Sequence, residues 1–302
     1  MQKLSQTIFD SYQVRKTRAQ KTAFIELLQK ELPGHNVKIE ECKGVAKSRN
    51  IVIGDLTSAK YILTAHYDTQ PVMPFPNFIA PKNTPLSFLY AILIVMPFAI
   101  LVGLLAGFIR SATDSPALAF AICYPLLFAY LAMMMLGKAN KHTANDNTSG
   151  VITLIEALRD ETIRAKCAFV FFDNEELGLL GSKAFSKLHK TELEGKLLLN
   201  FDCVGLGDHF MLVQGKKAKP VFEGKLKEAF LPEDGKTVSF ECSCNTRYPS
   251  DQKNFKLGVG VATFKKARFI GYYMDKIHTK HDTVLQEENV SYLVKSLRRL
   301  CE

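Results

Sequence analysis

Two apolar blocks constrain this chain more than any other feature. Leu86 to Ile109 runs for 24 residues without a charge, and Ser115 to Gly137 for another 23. Between them lies only the short polar stretch Arg110 to Asp114. As a helix, each block is long enough to cross a hydrocarbon core of about 30 Å. Pro97, Gly103, Gly107 and Pro125 fall inside them. Membrane helices tolerate such residues better than soluble helices do. The pattern predicts an inserted transmembrane helical hairpin, helices about 86–109 and 115–137, within an insertion spanning 77–137. The competing readings are a soluble lid, an oligomer interface over the active site, or a buried pair of core helices.

The remainder is globular in pattern. At 302 residues the chain has room for one large α/β domain or two small ones. The N-terminus, Met1 to Lys21, is polar and basic, which predicts no signal peptide. Seven cysteines are scattered, and Cys242-Ser243-Cys244 holds the only close pair. There is no CxxC pair of the kind a structural zinc site uses, and no disulfide framework, so a reducing compartment is expected. The net charge of +9 is diffuse, with local clusters at Lys216, Lys217, Lys219 and at Lys265, Lys266, Arg268. Such clusters are either solvated or drawn to an anionic membrane surface. No nucleic-acid motif accompanies them, so nucleic acid is not an expected partner.

Apolar periodicity predicts one amphipathic helix over about 5–31, stopped by Pro33-Gly34. Short strands are expected at 36–41, 50–54 and 61–65. Beyond Lys138, the loop Asn145 to Gly150 leads into a helix at 151–159. A strand at 167–172, a helix at 177–190 and a strand at 196–201 follow. Further strands are expected at 210–214, 260–264 and 268–273, with a closing helix at about 286–300. Alternation of strands and helices argues for a mostly parallel sheet with helices on its faces.

Candidate ligands fall at the C-terminal ends of strands or in the loops after them, where α/β proteins place their sites. They are His66, Asp146, the adjacent pair Glu175-Glu176, Asp202 and His278. Each alone has an ordinary structural explanation: a histidine at a strand end, an aspartate in a polar turn, acids at a helix start. Together they offer the mixture of imidazole and carboxylate that zinc favours. Two metals close together would need a bridging carboxylate.

His66-Tyr67-Asp68, Asn145-Asp146-Asn147-Thr148-Ser149-Gly150, Asp173 to Ser182, Asn200 to Gly205 and His278-Thr279-Lys280-His281-Asp282-Thr283 resemble, in order, the metal motifs of the M28 zinc aminopeptidase family. The resemblance covers roughly 1–76 and 138–302, read as one catalytic domain. It implies a phosphorylase/hydrolase-like α/β sandwich with two catalytic Zn2+ ions. The same donor types also accept Co2+ or Mn2+. By that resemblance Asp146 bridges the metals, His66 and Asp202 hold one, and Glu176 and His278 hold the other. Glu175 is the general base and Asp68 orients the His66 ring. The spacing His-Thr-x-x-Asp-Thr favours His278 over His281, and His142 matches no ligand.

Two departures stand out. Seventy-seven residues separate Asp68 from Asp146, far more than the family pattern, and the apolar blocks account for the excess. The segment Ser250-Asp251-Gln252 carries Gln252 where histidine is common. Just upstream, Arg247 and Tyr248 are candidates for stabilising an oxyanion or contacting substrate.

The expected protein is therefore a membrane-anchored metallo-aminopeptidase with peptide substrates and a bilayer partner; an oligomer is compatible with the sequence. Lys82, Lys138 and Lys141 flank the hairpin on the catalytic side, which predicts a cytoplasmic catalytic domain. The alternatives are a carboxypeptidase of the same superfamily, a glutaminyl cyclase, or an inactive binding protein on the same fold.

Overall fold

The computed structural model describes residues 3–42 and 47–302. Its centre is a mixed nine-stranded sheet. The strands are β1 (Val37–Cys42), β2 (Ser48–Ile53), β3 (Tyr61–His66), β4 (Cys167–Phe172), β5 (Leu197–Phe201), β6 (His209–Gln214), β7 (Thr237–Cys242), β8 (Gly258–Ala267) and β9 (Gly271–Tyr273). Their order is β1-β2-β4-β3-β5-β8-β6-β7, with β9 pairing β8.

The four central strands, β4, β3, β5 and β8, run parallel; β2 and β6 join them antiparallel, β1 pairs β2 antiparallel and β7 pairs β6 parallel. Every residue of β3, β4 and β5 is buried. That is why these strands read as continuous apolar runs, as strands covered on both faces do.

One face is covered by α1 (Lys3–Ser11), α2 (Arg18–Glu31), α5 (Ser149–Arg159), α8 (Lys219–Ala229) and α9 (Glu287–Cys301), packed into the largest core cluster. The short α6 (Glu161–Lys166) leads into β4. On the opposite face α7 (Leu180–Leu188) contributes Phe185 to a second cluster with Ile62, Val170 and Phe172.

The chain leaves β3 to build β4 on one side, then crosses to β5 on the other. β3 is therefore a topological switch point, and the crevice beyond its C-terminal end is where such sheets place ligands.

The expected single helix over 5–31 is corrected to two, α1 and α2. Thr17 caps α2 in a reciprocal capping box with Gln20. In the intervening turn the fully buried Arg15 reaches inward. Its guanidinium donates to the carbonyls of Tyr12 and Tyr67 and to Thr148 Oγ1. A continuous helix would leave those buried acceptors without that donor. The strand expected over 268–273 is likewise a turn followed by the short β9, and β7, α6 and α8 were not foreseen.

The two apolar blocks form α3 (Thr84–Thr113) and α4 (Pro116–Leu136). Both are long and apolar enough to cross a membrane. No residue of α3 is buried, and only Ala119 and Cys123 of α4 are. That excludes a buried core pair. The helices touch each other: Phe98 stacks on Tyr130 at 4.2 Å, and the Tyr130 hydroxyl donates to Ile94 O at 3.0 Å.

The roots of this hairpin are sewn into the loops around the sheet. Val72 N–H donates to Lys138 O (2.8 Å), Asn140 N–H to Gln70 O (3.0 Å) and Met73 N–H to His278 O (2.7 Å). Ile79 and Met274 exchange a pair of backbone hydrogen bonds, both 2.9 Å. Cys242, the last residue of β7, forms a disulfide with Cys244, a pairing not expected from the scattered cysteines, and the cysteines outside it are free.

Candidate metal centre

Three strand ends and two loops meet beyond the C-terminal edge of β3. His66 is the last residue of β3, and Asp202 directly follows β5. After β4 the chain turns at Asn174, which has a left-handed φ of 56°. Cys203 (φ 58°) and His278 (φ 62°) are also left-handed. Non-glycine residues adopt that region at a cost, and such residues gather where surrounding contacts hold the backbone in place.

The loop bearing Asp146 is fixed from both sides. Asn147 Nδ2 donates to Phe201 O (3.0 Å), and its Oδ1 accepts from Gly150 N (3.1 Å) and Cys203 N (3.3 Å). Gly150 lies so close to β5 that a Cβ there would sit 2.3 Å from Phe201 O. Only glycine fits, which explains the Gly that ends this motif. From the far side Asp282 accepts the backbone N–H of Asn145 (2.8 Å) and of Asp146 (3.0 Å).

All of the proposed ligands come together. His66 Nε2 lies 3.2 Å from Asp146 Oδ1 and 3.6 Å from Asp202 Oδ1. His278 Nε2 lies 2.9 Å from Asp146 Oδ2 and 3.8 Å from Glu176 Oε1. Two donor groups result, His66–Asp146–Asp202 and Asp146–Glu176–His278, each with its donor atoms within 4.8 Å of one another. They share Asp146, one oxygen toward each histidine. A third group, His66–Glu175–Glu176, overlaps them. The first group is buried throughout, whereas the His278 side chain is 25% exposed. The cluster therefore opens on the His278 side.

Asp68 ties the pieces together. Its carboxylate lies 3.6 Å from His66 Nδ1 and accepts the backbone N–H of Glu175 (2.9 Å) and Glu176 (3.2 Å). Gln70 does similar work on the open side. With its amide placed to satisfy both neighbours, it donates to Glu176 Oε1 and accepts from His278 N at 3.1 Å.

The electrostatics call for cations. Burial pushes the carboxyls of Glu175 and Glu176 well above the usual carboxylate range, and neighbouring acids add to it. Burial also raises Asp251 and Asp282 to about 7. Burial opposes protonation of His66, but Asp146, Asp202 and Asp68 outweigh it and hold its pKa well above the ordinary value. Asp146 is held low by the two histidines, against its burial. Among the described residues no lysine or arginine forms an ion pair with any of these acids. Asp146 Oδ1 and His66 Nδ1 are buried without a hydrogen-bond partner. Such acids stay ionised only when paired, hydrogen-bonded or coordinating, and otherwise take up protons. The oxygen and imidazole donors fit divalent metal.

The remaining candidates lie further out. Tyr248 is buried, and its hydroxyl donates to Asp202 O at 2.9 Å. Arg247 is exposed; it and Tyr248 line one cavity with Lys216 and Lys253. Gln252 Oε1 accepts from Asn200 Nδ2 (3.1 Å), and its amide donates to Tyr248 O (2.8 Å). It thereby braces Tyr248 from below. His142 and His281 are exposed and outside the cluster.

Sequence reasoning missed Gln70, Arg15 and the buried pair Lys21–Asp173. Only Gln70, two residues past the His66-x-Asp68 motif, carried a signal in its position.

No curated protein matches the chain in sequence. The structure is similar to the LapA aminopeptidase of Legionella pneumophila, at 13% identity and a TM-score of 0.57, covering 99% of this chain and 67% of that one. It is also similar to the glutaminyl cyclase of Fimbriiglobus ruber (15%, TM-score 0.56, 99% and 92%) and that of Macrostomum lignano (12%, TM-score 0.52, 99% and 87%). These likenesses establish the fold. The sequence pattern of peptidase family M28 matches residues 131–293. His66 and Asp68 lie upstream of that match, and the parallel pairing of β3 with β4 and β5 brings them to it. With more than half of its length matched, this chain belongs to peptidase family M28.

Proposed function

We propose that the protein is a membrane-anchored dinuclear zinc aminopeptidase, its catalytic domain formed by 1–76 and 138–302. The observation that carries this reading is the shared position of Asp146 between two groups of metal donors. His66 and Asp202 would hold one ion, Glu176 and His278 the other, and Asp146 both. Bound zinc supplies Lewis acidity, acidifying water and polarising a carbonyl.

The chain's own residues do the rest. Asp68 fixes the backbone of both glutamates, and Glu176 reaches the His278 side, which leaves Glu175 as the carboxylate assigned to neither ion in this reading. Glu175 is the group suited to take a proton from the attacking water and return it to the leaving amine. Its buried setting raises its proton affinity, as that role requires. Tyr248 is the proposed contact for the substrate carbonyl oxygen, with Arg247 beside it. The Tyr248 hydroxyl is engaged with Asp202 O, so this role requires it to exchange partners.

The hairpin α3–α4 would cross the bilayer, and the positive charge of Lys82, Lys138 and Lys141 beside its roots supports a cytoplasmic catalytic side. Its roots bond the His278 loop directly. The cluster would then sit near the membrane surface, where short apolar peptides are the favoured substrates.

The test uses full-length protein in nanodiscs. Metal analysis should give two ions per chain, and free peptides should be cleaved from the N-terminus while N-acetylated ones are not. Cyclisation of N-terminal glutamine without hydrolysis would instead establish a glutaminyl cyclase. Cleavage from the C-terminus would establish a carboxypeptidase. Metal binding without turnover of any of these would leave a binding protein.

A further inference from the structure

Between β8 and β9 the chain makes a tight turn at Arg268, Phe269 and Ile270. Phe269 is 89% exposed, the most exposed of the large apolar side chains among the described residues. A single exposed phenylalanine is ordinary on a soluble surface. Its location makes this one different.

The turn is bound to the root of the hairpin. Asn83, which caps α3 by accepting Leu86 N–H, donates its side-chain amide to Ile270 O at 3.3 Å. Two residues beyond β9's first, Tyr273 stacks on Phe78 at 5.7 Å, and Phe78 meets Tyr90 of α3 at 6.4 Å. Met274 pairs with Ile79 in the segment leading into the helix. Turn and helix start are thus one structural unit. If α3 enters the bilayer, the turn lies where it enters.

The composition of the turn suits that depth. Arg268 sits over the Phe269 ring at 5.6 Å, and Lys266 over Tyr272 at 5.4 Å. Both cations are exposed, and neither forms an ion pair among the described residues. Apolar and aromatic groups flanked by unpaired basic residues match the lipid interface, where rings enter the headgroup layer and cations meet lipid phosphates.

We propose that the Arg268–Ile270 turn is a second membrane contact, with Phe269 inserted into the interface of the same bilayer that α3 and α4 cross. It rests on the spanning reading of the hairpin. The hairpin alone would leave the catalytic domain free to tilt on two roots. A third point of attachment fixes its orientation, and with it the direction in which the His278 opening faces.

The chain contains no tryptophan, so Phe269→Trp and, separately, Leu104→Trp in α3 are clean single reporters. Full-length protein is placed in nanodiscs of phosphatidylcholine and phosphatidylserine, with and without brominated acyl chains. Both reporters should be blue-shifted and quenched by the brominated lipid. Adding Arg268→Glu should weaken the quenching of Phe269→Trp only; unchanged quenching would overturn the role given to the cation. A quenched Leu104→Trp beside a water-exposed, unquenched Phe269→Trp would overturn the turn contact and leave the hairpin reading intact. If neither is quenched, the spanning reading and this proposal fall together.

Discussion

Asp68 Oδ1 accepts the backbone N–H of Glu175 at 2.9 Å while the same carboxylate faces His66 Nδ1 at 3.6 Å. One side chain thus puts a negative charge beside the ring of a proposed ligand and holds, by hydrogen bonds, the chain that carries the proposed base. Asp68→Asn keeps the size and one acceptor but loses the negative charge beside the ring. Metal affinity should fall about 10- to 100-fold, the range for partners of metal-bound histidines. Titration with a competing chelator measures it, and unchanged affinity would remove Asp68 from the site.

Glu175 and Glu176 are adjacent but should fail in different ways. Glu175→Gln should keep bound metal and lose about 100- to 10,000-fold in turnover, the contribution expected of a general base. Asp146→Ala should lose metal outright, because both donor groups share that residue. Normal turnover in Glu175→Gln would show that the base has been misassigned.

Gln70 bridges Glu176 and the backbone of His278 from the root of the hairpin. Gln70→Ala should loosen the ion on the exposed side while sparing the one held by His66 and Asp202. The expected result is a stoichiometry that drops from two toward one at limiting zinc, read by elemental analysis after gel filtration. Equal loss of both ions would argue that Gln70 only stabilises the fold.

Lys21 of α2 is buried and pairs with Asp173, with a further bond to Asn174 Oδ1 at 2.7 Å. Lys21→Met leaves a buried carboxylate without its cation just before the Glu175-Glu176 turn. Removing one partner of a buried pair costs about 3–5 kcal/mol. Urea unfolding should show a lower midpoint, and the double variant with Asp173→Asn should recover part of it.

His209 offers a pH test away from the metal donors. Its ring is bonded to Thr237 Oγ1 (2.7 Å) and Ser239 Oγ (2.8 Å) and stacked on Tyr272. Burial, then the nearby Lys266, lower its pKa to about 4 from the usual 6.5. The unfolded chain therefore binds this proton first. The contribution of the neutral ring to stability is complete above 6.5 and is lost as pH falls toward 4. His209→Gln should flatten that part of the stability curve in chelator-treated protein. An unchanged slope would place the acid sensitivity elsewhere.

Much of the site was readable because its residues lie in short motifs at strand ends. β3, β4 and β5 are fully buried, so each shows as an apolar run leading to a polar candidate residue. The pairing order that joins them depends on contacts far apart in sequence, and no local pattern reveals it. Arg15 illustrates the other limit. Its neighbours have helical periodicity, but its guanidinium, lowered to about 10 by burial, is satisfied by Tyr67 and Thr148 from distant segments. Gln70 was missed for the same reason: its partners lie on two loops that only the folded sheet brings to it. The half-buried β7 and α8 failed differently, since they show no clean alternation of buried and exposed positions. The apolar blocks were legible as helices from length alone, whereas their attachment to the His278 loop was not.

The hairpin lies in the crossover between β3 and α5. His66 and Asp68 are therefore synthesised before it, and Asp146, Glu175, Glu176, Asp202 and His278 after it. A nascent chain cannot assemble the cluster until both apolar helices have left the ribosome. If those helices are taken up by the membrane as they emerge, delivery precedes completion of the site, and the peptidase is made inert until it has reached its place of work.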